Sequence, residues 1–474
     1  MLDGSPRAKW FALALLCATQ FMVVLDVSIV NVGLPSIERA LHFSASGLQW
    51  VASAYALTFG GFLLLGGRVA DLLGRRRVFM IGLVVFAAAS FACGLASSSG
   101  FLVGARMVQG LGAAIISPAA LSILTTTFAE GKERNTALGV WGAIAGTGGA
   151  AGVLLGGVLT DWVGWEWIFF INVPIGLAVI ALAPRLLQES RVESDERRFD
   201  VAGAASVTLG LVVLVYALVG TTTHSWIAPR TLGLFALSAV LLIVFVAIEL
   251  RVPEPVLPLS IFRLRTLAGA NIVGFLLGSS IFSMFYFLSL YQQFVLGYSP
   301  LKTGIGYLAI AVTIIISAGV SQAIVTRVGV RPVLTLGMVL LTIGLLWFTQ
   351  IDAHGSYATD LLPGYLLAGV GLGFAFVPDA IAALEGVTPE QAGIASGLIN
   401  TSQQVGGALG VAILTTVAAT RTESLGRSAG LGGLTSGYRY GFAVAAGMAV
   451  IGVVASLVTI RTESLEPESE HATA

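Results

Sequence analysis

A carboxylate inside an apolar run is the first group in this chain with chemistry to offer. Asp26 stands in Leu25-Asp26-Val27-Ser28-Ile29-Val30-Asn31-Val32-Gly33-Leu34-Pro35, near the end of a stretch from Trp10 to Val32 that is otherwise free of charge. That stretch is long enough for a helix to cross about 30 Å of hydrocarbon at about 1.5 Å per residue. An aspartate in the middle of such a helix costs about 2.5–3.5 kcal/mol on insertion scales, so it is kept where it faces a cavity, finds a partner or carries protons. Proton exchange is the chemistry a lone carboxyl can perform there. One cation shares the setting: Arg106, in Arg106-Met107-Val108-Gln109-Gly110, lies about five residues inside its own apolar run. A guanidinium at that depth can neutralise Asp26 or cap backbone carbonyls of a neighbouring helix.

Other polar residues are sparser. Asn31, Gln109, Tyr291, Gln292, Asn400, Gln403 and Gln404 lie within or beside apolar runs and are candidates to line a substrate cavity. Asp379, after Pro378 at the end of a run, reads first as a boundary residue reached by water and otherwise as the one candidate for a second negative partner. With Asp26 then the one deep acid, neutral and singly charged molecules are expected to be handled better than dications, which need a second negative partner. The four histidines, His42, His224, His354 and His471, fall in expected loops or the tail. No cluster of His, Ser or carboxylates at one depth suggests an enzyme, and no metal-ligand spacing appears. Cys17 and Cys93 both fall in apolar runs and read as packing residues.

The elements that must position these groups follow from composition. The chain has 474 residues, 56% hydrophobic and 11% charged, against roughly 25% charged for a soluble domain. Its mean hydropathy is +0.91. It is an all-α polytopic membrane protein by these measures, and a formal net charge of zero argues against a nucleic-acid partner. Apolar runs of spanning length recur near 11–33, 48–70, 78–97, 101–123, 137–159 and 167–184, then near 201–220 and 230–250. Six more follow near 268–290, 303–325, 332–351, 360–379, 393–416 and 438–460. The expected plan is fourteen transmembrane helices: a six-helix bundle in 1–184, a linker with two extra helices in 185–267, a second bundle in 268–460 and a tail in 461–474.

Orientation follows from the basic residues. Breaks on the side of the N-terminus carry Arg7, Lys9, Arg75, Arg76, Arg77, Lys132, Arg134, Arg185, Arg191, Arg197, Arg198, Arg251, Arg263, Arg265, Arg327, Arg331 and Arg461. The opposite breaks carry only Arg39, Arg230, Lys302, Arg421, Arg427 and Arg439. This excess places both termini in the cytoplasm. Trp162, Trp165 and Trp167 gather at one expected outer boundary, as an interfacial aromatic belt does.

The two blocks of six read as diverged copies. Gly148-Gly149-Ala150-Ala151-Gly152-Val153 returns as Gly406-Gly407-Ala408-Leu409-Gly410-Val411, 258 residues later and again in a fifth helix. The turn Gly74-Arg75-Arg76-Arg77-Val78 returns as Gly329-Val330-Arg331-Pro332-Val333 at an offset of 255. Internal repeats of this kind build many secondary transporters, with the site between the halves and alternating access by rocking.

Specific motifs sharpen the picture. The turn Gly67-Arg68-Val69-Ala70-Asp71-Leu72-Leu73-Gly74-Arg75-Arg76-Arg77 resembles the signature loop G-x-L-A-D-x-x-G-R-R-x of the major facilitator superfamily, with Val69 for the usual leucine. Asp71 can sit at a helix N-terminus or pair with an arginine, so Gly67, Asp71, Gly74, Arg75 and Arg76 are candidates for a conformational latch. Arg106 to Gly110 is similar to the family's R-x-x-Q-G, and by that resemblance Arg106 takes part in proton transfer. Gly148, Gly152 and Gly156 repeat every four residues, with Gly157 beside them, a face on which helix backbones can approach closely. This stretch resembles the antiporter motif g-x-x-x-G-P-x-x-G-G, departing from it at Val153, and such a face is expected at the interface between the halves. Trp165 to Gly176 and Leu25 to Pro35 are most similar to the fourteen-helix branch, the drug:proton antiporters of the EmrB/QacA type.

The resemblance implies a major facilitator fold and export of amphipathic, neutral or cationic small molecules such as antibiotics, driven by inward proton flow with no cofactor. It implies a monomer in the bacterial cytoplasmic membrane, with Asp26 and Arg106 coupling protons to transport. The alternative is a proton-independent or proton-coupled carrier of a specific metabolite, against which Asp26 and the fifth-helix motif argue.

Overall fold

A chain surrounded by hydrocarbon must satisfy its backbone internally, and here it does so as helix. In a computed structural model, residues 6–128, 132–190, 200–221, 224–252, 255, 257, 259–387 and 392–460 are described, and no strand occurs among them. The expected tail 461–474, and 191–199 of the charged linker, lie outside the described residues.

The helices are α1 Pro6–Leu41, α2 Ala45–Leu73, α3 Arg75–Gly94, α4 Ser99–Thr127, α5 Lys132–Trp162, α6 Trp167–Phe170 and α7 Asn172–Leu186. Then come α8 Val201–Gly220, α9 Pro229–Glu249, α10 Arg265–Leu290, α11 Pro300–Val328, α12 Val330–Phe348, α13 Leu362–Leu384, α14 Ala392–Ser424 and α15 Gly430–Thr459. Eleven helical segments are long and apolar enough to cross a bilayer, α6 and α7 forming one of them. Helices α2, α5 and α8, at 29, 31 and 20 residues, bring the crossings to fourteen. The protein is thus a multi-pass, all-α membrane protein. Below, the face where α1 begins is the N-terminal face and the opposite one the far face.

Helix ends follow local chemistry. Ser44, Ser98 and Ser299 cap α2, α4 and α11 at the far face, each accepting from a backbone N–H three residues on. At the N-terminal face Gly74 (φ 106°) and Gly329 (φ 84°) turn the chain from the second to the third helix of each bundle. The repeat is therefore structural as well as sequential. Helix α1 runs eight residues past the expected end of its span and through Pro35. Proline has no N–H for the carbonyl of Asn31, and Ser289 of α10 donates to that carbonyl instead, at 2.5 Å.

Within the bundles α1 packs on α5 and α10 packs on α14, equivalent pairs in the two repeats. The extra pair α8–α9 lies beside α2 and α14 through α8. Close approach decides which glycine faces meet. A methyl added at Gly148 would stand 3.3 Å from the Phe21 carbonyl oxygen, at Gly152 2.8 Å from that of Leu25, and at Gly156 2.8 Å from that of Ile29. All three pack on α1 of their own bundle. This corrects the expectation that they form the interface between halves. Gly157 makes that contact, 2.7 Å from the Pro300 carbonyl oxygen of α11, and Gly304 answers it at 2.8 Å from the Val153 carbonyl oxygen.

Among the described residues the bundles touch chiefly toward the far face. Their shared core takes Leu25 to Ile37 of α1, Leu48 and Val51 of α2 and Leu102 of α4, all in the far half of the first bundle. The half nearer the N-terminal face keeps a core of its own, built from Leu13, Leu16, Phe79, Leu83, Ile116 and Leu124 among others. Gln293 reaches across to the Val32 carbonyl at 2.8 Å, and Gly60 meets Gln404 and Val405 near mid-membrane. The molecule is thus closed at the far face. The expected tryptophan belt is partly corrected: Trp162 and Trp167 are exposed, whereas Trp165 is buried against Phe169.

Candidate functional site

Five segments of the first bundle meet around Asp26. Arg106 donates from Nη1 to Asp26 Oδ2 at 2.5 Å, and both side chains are about fully buried, 1% and 0% exposed. Gln109 Nε2 and Asn172 Nδ2 donate to Oδ1 at 2.7 and 2.8 Å. The same two amides donate to Ser90 Oγ, which passes its own hydrogen to the Phe169 carbonyl at 2.8 Å. Arg106 is held further by the Val51 carbonyl at 3.0 Å, the Gln109 Oε1 at 2.8 Å and the Tyr55 ring, 4.2 Å below its guanidinium. Of the two arrangements open to Arg106, the structure contains both.

The local sequence explains this convergence. Arg106 and Gln109 are one turn apart on α4 and so face the same neighbour. Asn172 is presented where the sixth crossing breaks between α6 and α7. Arg106 is seven residues into α4, about 10 Å from the far-face end at 1.5 Å per residue, so its Cα lies on the far-face side of the helix midpoint.

Chemically, the ensemble is a charge pair kept out of water with almost every polar atom engaged. Removing one partner of such a pair costs about 3–5 kcal/mol because the other charge is left buried. A proton on Asp26 would cancel its attraction for Arg106 and free that cation to move. Tyr55 Oη and Asn172 Oδ1, buried beside the pair without partners, can receive a rearranged network.

The other sequence candidates are placed as follows. Gln109 belongs to the Asp26 network and faces no open cavity. Asn31 and Tyr291 are buried; the Tyr291 hydroxyl donates to the Asp352 carbonyl at 2.6 Å. Gln292 is buried and donates to the Tyr365 hydroxyl at 2.8 Å. Asn400 is exposed and Gln403 half-buried, both on α14. Asp379 corrects the reading that water reaches it. It is fully buried, so water does not reach it in this structure although it lies near a helix end, and the first bundle is not alone in holding a buried acid. An apolar groove of about 480 Å³ opens between the halves of α1 and α5 nearer the N-terminal face, lined by Trp10, Leu13, Cys17, Phe21, Val140 and Ile144 among others.

At the latch, Gly74 ends α2 and starts α3, while a methyl added at Gly67 would meet Pro118 at 3.4 Å. The side chain of Asp71 lies outside the described residues. The carboxylate found at the start of α3 is Glu189's, which accepts from the backbone N–H of Arg76 and Arg77 at 3.0 and 3.1 Å and lies 3.7 Å from Arg76 Nε. Arg75 N–H donates to the Ser190 carbonyl and Arg76 Nη1 to that of Leu187. The turn is thus clasped by the chain leaving α7. Sequence reading missed Glu189, Ser90, Asn172 and Tyr55; only Asn172, a lone amide between apolar residues just before Pro174, carries a visible signal.

Known proteins share this architecture. A solved POT-family peptide transporter superposes with a TM-score of 0.68 at 16% identity, covering 98% of this chain and 99% of its own. A bacterial homolog of the human lysosomal transporter Spinster, inward-facing and occupied, gives 0.65 at 16% identity over 97% and 98%. These show the fold. Among sequence relatives, a puromycin resistance protein of Streptomyces alboniger is 37% identical over 98% of this chain and 94% of its own length. A cephamycin export protein of Amycolatopsis lactamdurans is 39% identical over 87% and 85%. The family model of the Major Facilitator Superfamily matches residues 16–411, and the chain, with its two repeated bundles and small-molecule transporters as relatives, belongs to that superfamily.

Proposed function

We propose that the protein is a proton-coupled exporter of amphipathic, neutral or cationic small molecules such as antibiotics, working by alternating access as a monomer. The observation that carries this reading is the sealed Asp26–Arg106–Gln109–Asn172 network, a charge pair whose bond a single proton can switch. The proton gradient is the energy source and no cofactor is required. The surplus of Lys and Arg at the N-terminal face supports placing that face in the cytoplasm of a bacterial inner membrane. With the far face closed, the present state would then open inward, where the apolar groove between α1 and α5 offers a surface for cargo. Similarity to puromycin resistance and cephamycin export proteins supports antibiotics as the class of cargo.

The test uses energised inverted membrane vesicles and ethidium as the probe. Uptake that collapses on adding a protonophore is expected. Uptake indifferent to the protonophore, or movement only down the ethidium gradient, would refute the reading and favour a facilitator.

A further inference from the structure

The second bundle contains a carboxyl that the Asp26 network does not use. Asp379 is 17 residues past the first residue of α13 and five before its last, about 8 Å from the end at the N-terminal face at 1.5 Å per residue. It is 0% exposed. Its Oδ2 accepts one long hydrogen bond, from Gln403 Nε2 at 3.3 Å, and its Oδ1 has no partner. By contrast, Asp26 receives an arginine and two amides.

The surroundings supply no countercharge. Helix α10 presents Gly274 and Asn271, and α14 presents Ile399, Ser402 and Gln403. Asn271 and Ser402 are bonded to each other at 2.8 Å. Among the described residues no titratable or cationic group faces Asp379 from α10, α13 or α14. Space is equally short: a methyl at Gly274 would lie 3.0 Å from Asp379 Oδ2 and closer still to Ile399. Neither a metal ion nor the head of an organic cation fits beside the carboxyl without parting α10 from α14. A proton needs no room.

Toward the N-terminal face, polar residues of α14 become more exposed with distance from Asp379. Gln403, which touches Asp379, is half-buried, and Asn400, one turn nearer the N-terminal face on α14, is exposed. We infer that Asp379 is a second proton-exchanging carboxyl, reached from the N-terminal face past Gln403 and Asn400. An unpaired carboxylate sealed in a bundle is costly, and a bound proton removes that cost, so release of the proton is tied to movement that wets or repacks the site. The two acids occupy different depths and opposite bundles. A charged Asp26 is held by the Arg106 cation beside it, whereas a charged Asp379 has no cation among the described residues, so its proton leaves when water reaches the carboxyl and carries it away. This deepens the exporter reading and rests on it for its transport consequence alone.

The test is infrared difference spectroscopy on the purified, lipid-reconstituted protein, switched between acidic and alkaline buffer. The wild type should lose a protonated-carboxyl carbonyl band that Asp379→Asn lacks, that Asp26→Asn retains and that Gln403→Leu shifts in frequency. Asparagine matches aspartate in size and can keep the Gln403 bond, and unchanged thermal unfolding of the variant is the check on its fold. The same band at full height in Asp379→Asn overturns the proposal. In inverted vesicles under a pH difference alone, the slope of log ethidium accumulation against that difference should fall by about half in Asp379→Asn, as loss of one of two linked protons requires. A wild-type slope in that variant overturns the coupling. Failure of the wild type to use the gradient at all would instead count against the exporter reading, while the infrared band still decides the fate of Asp379.

Discussion

Replacing Asp26 by asparagine tests the site at its centre. The amide is the same size, and its oxygen can still accept from Gln109 and Asn172, now at 2.7 and 2.8 Å from Oδ1. Its nitrogen, however, takes the place of Oδ2 and meets Arg106 Nη1, donor against donor, at a separation of 2.5 Å in the parent. Arg106 then keeps the Val51 carbonyl, the Gln109 oxygen and the Tyr55 and Phe169 rings, with no countercharge, in a buried site. Orphaning a buried charge costs about 3–5 kcal/mol, a factor of about 10² to 10⁴ in the folded-to-unfolded ratio. Thermal unfolding in detergent, followed with a thiol-reactive dye, reads this directly because Cys17 and Cys93 are both free and buried. The double variant Asp26→Asn with Arg106→Gln removes the stranded charge as well and should be the more stable of the two, the non-additivity that contacting residues show. Neither variant should export ethidium into inverted vesicles against a gradient. Recovery of stability without recovery of transport separates the structural role of the pair from its role in coupling. Wild-type unfolding together with full proton-driven export by Asp26→Asn would refute the reasoning.

The two glycine contacts of α5 should behave differently. Gly152→Leu drives a side chain into Ser28 and the Leu25 carbonyl within the first bundle, so it should lower thermal stability by about 1–3 kcal/mol. Gly157→Leu, at the contact with Pro300 that rocking must make and break, should stop transport with unfolding near that of the wild type; equal stability losses in the two would remove the distinction. Glu189→Ala strips the start of α3 of its carboxylate cap, worth about 1 kcal/mol, and loosens the clasp on the Gly74 turn. Faster cleavage by protease at the N-terminal face is the expected readout, and an unchanged rate would show that the clasp does not hold the turn.

Much of this protein is written in one dimension. Hydrocarbon demands about twenty apolar residues per crossing and leaves few charges inside, so fourteen crossings, Asp26 and Arg106 stand out from the chain before any folding is known. The Gly148 and Gly406 stretches, 258 residues apart, likewise announce a repeat that the structure realises as α1–α5 and α10–α14. What the sequence could not decide is which neighbour each face meets. In a soluble protein one apolar face points inward, but in a membrane helix every face is apolar, so a line of glycines shows where a backbone can come close without naming the backbone. Gly148, Gly152 and Gly156 therefore turned out to seat α1, and the halves meet at Gly157 instead. The same limit hid Asn172, which reaches Asp26 from crossing six, Ser90 of crossing three, which holds the two amides that bind Asp26, and Glu189, which caps a helix more than a hundred residues earlier. It misplaced Asp379 too. Position near a helix end suggested water, yet α10 and α14, brought from either side of it in sequence, cover the carboxyl completely. Burial of a side chain in a bundle is a property of three helices at once, and only the packed tertiary structure brings those three together.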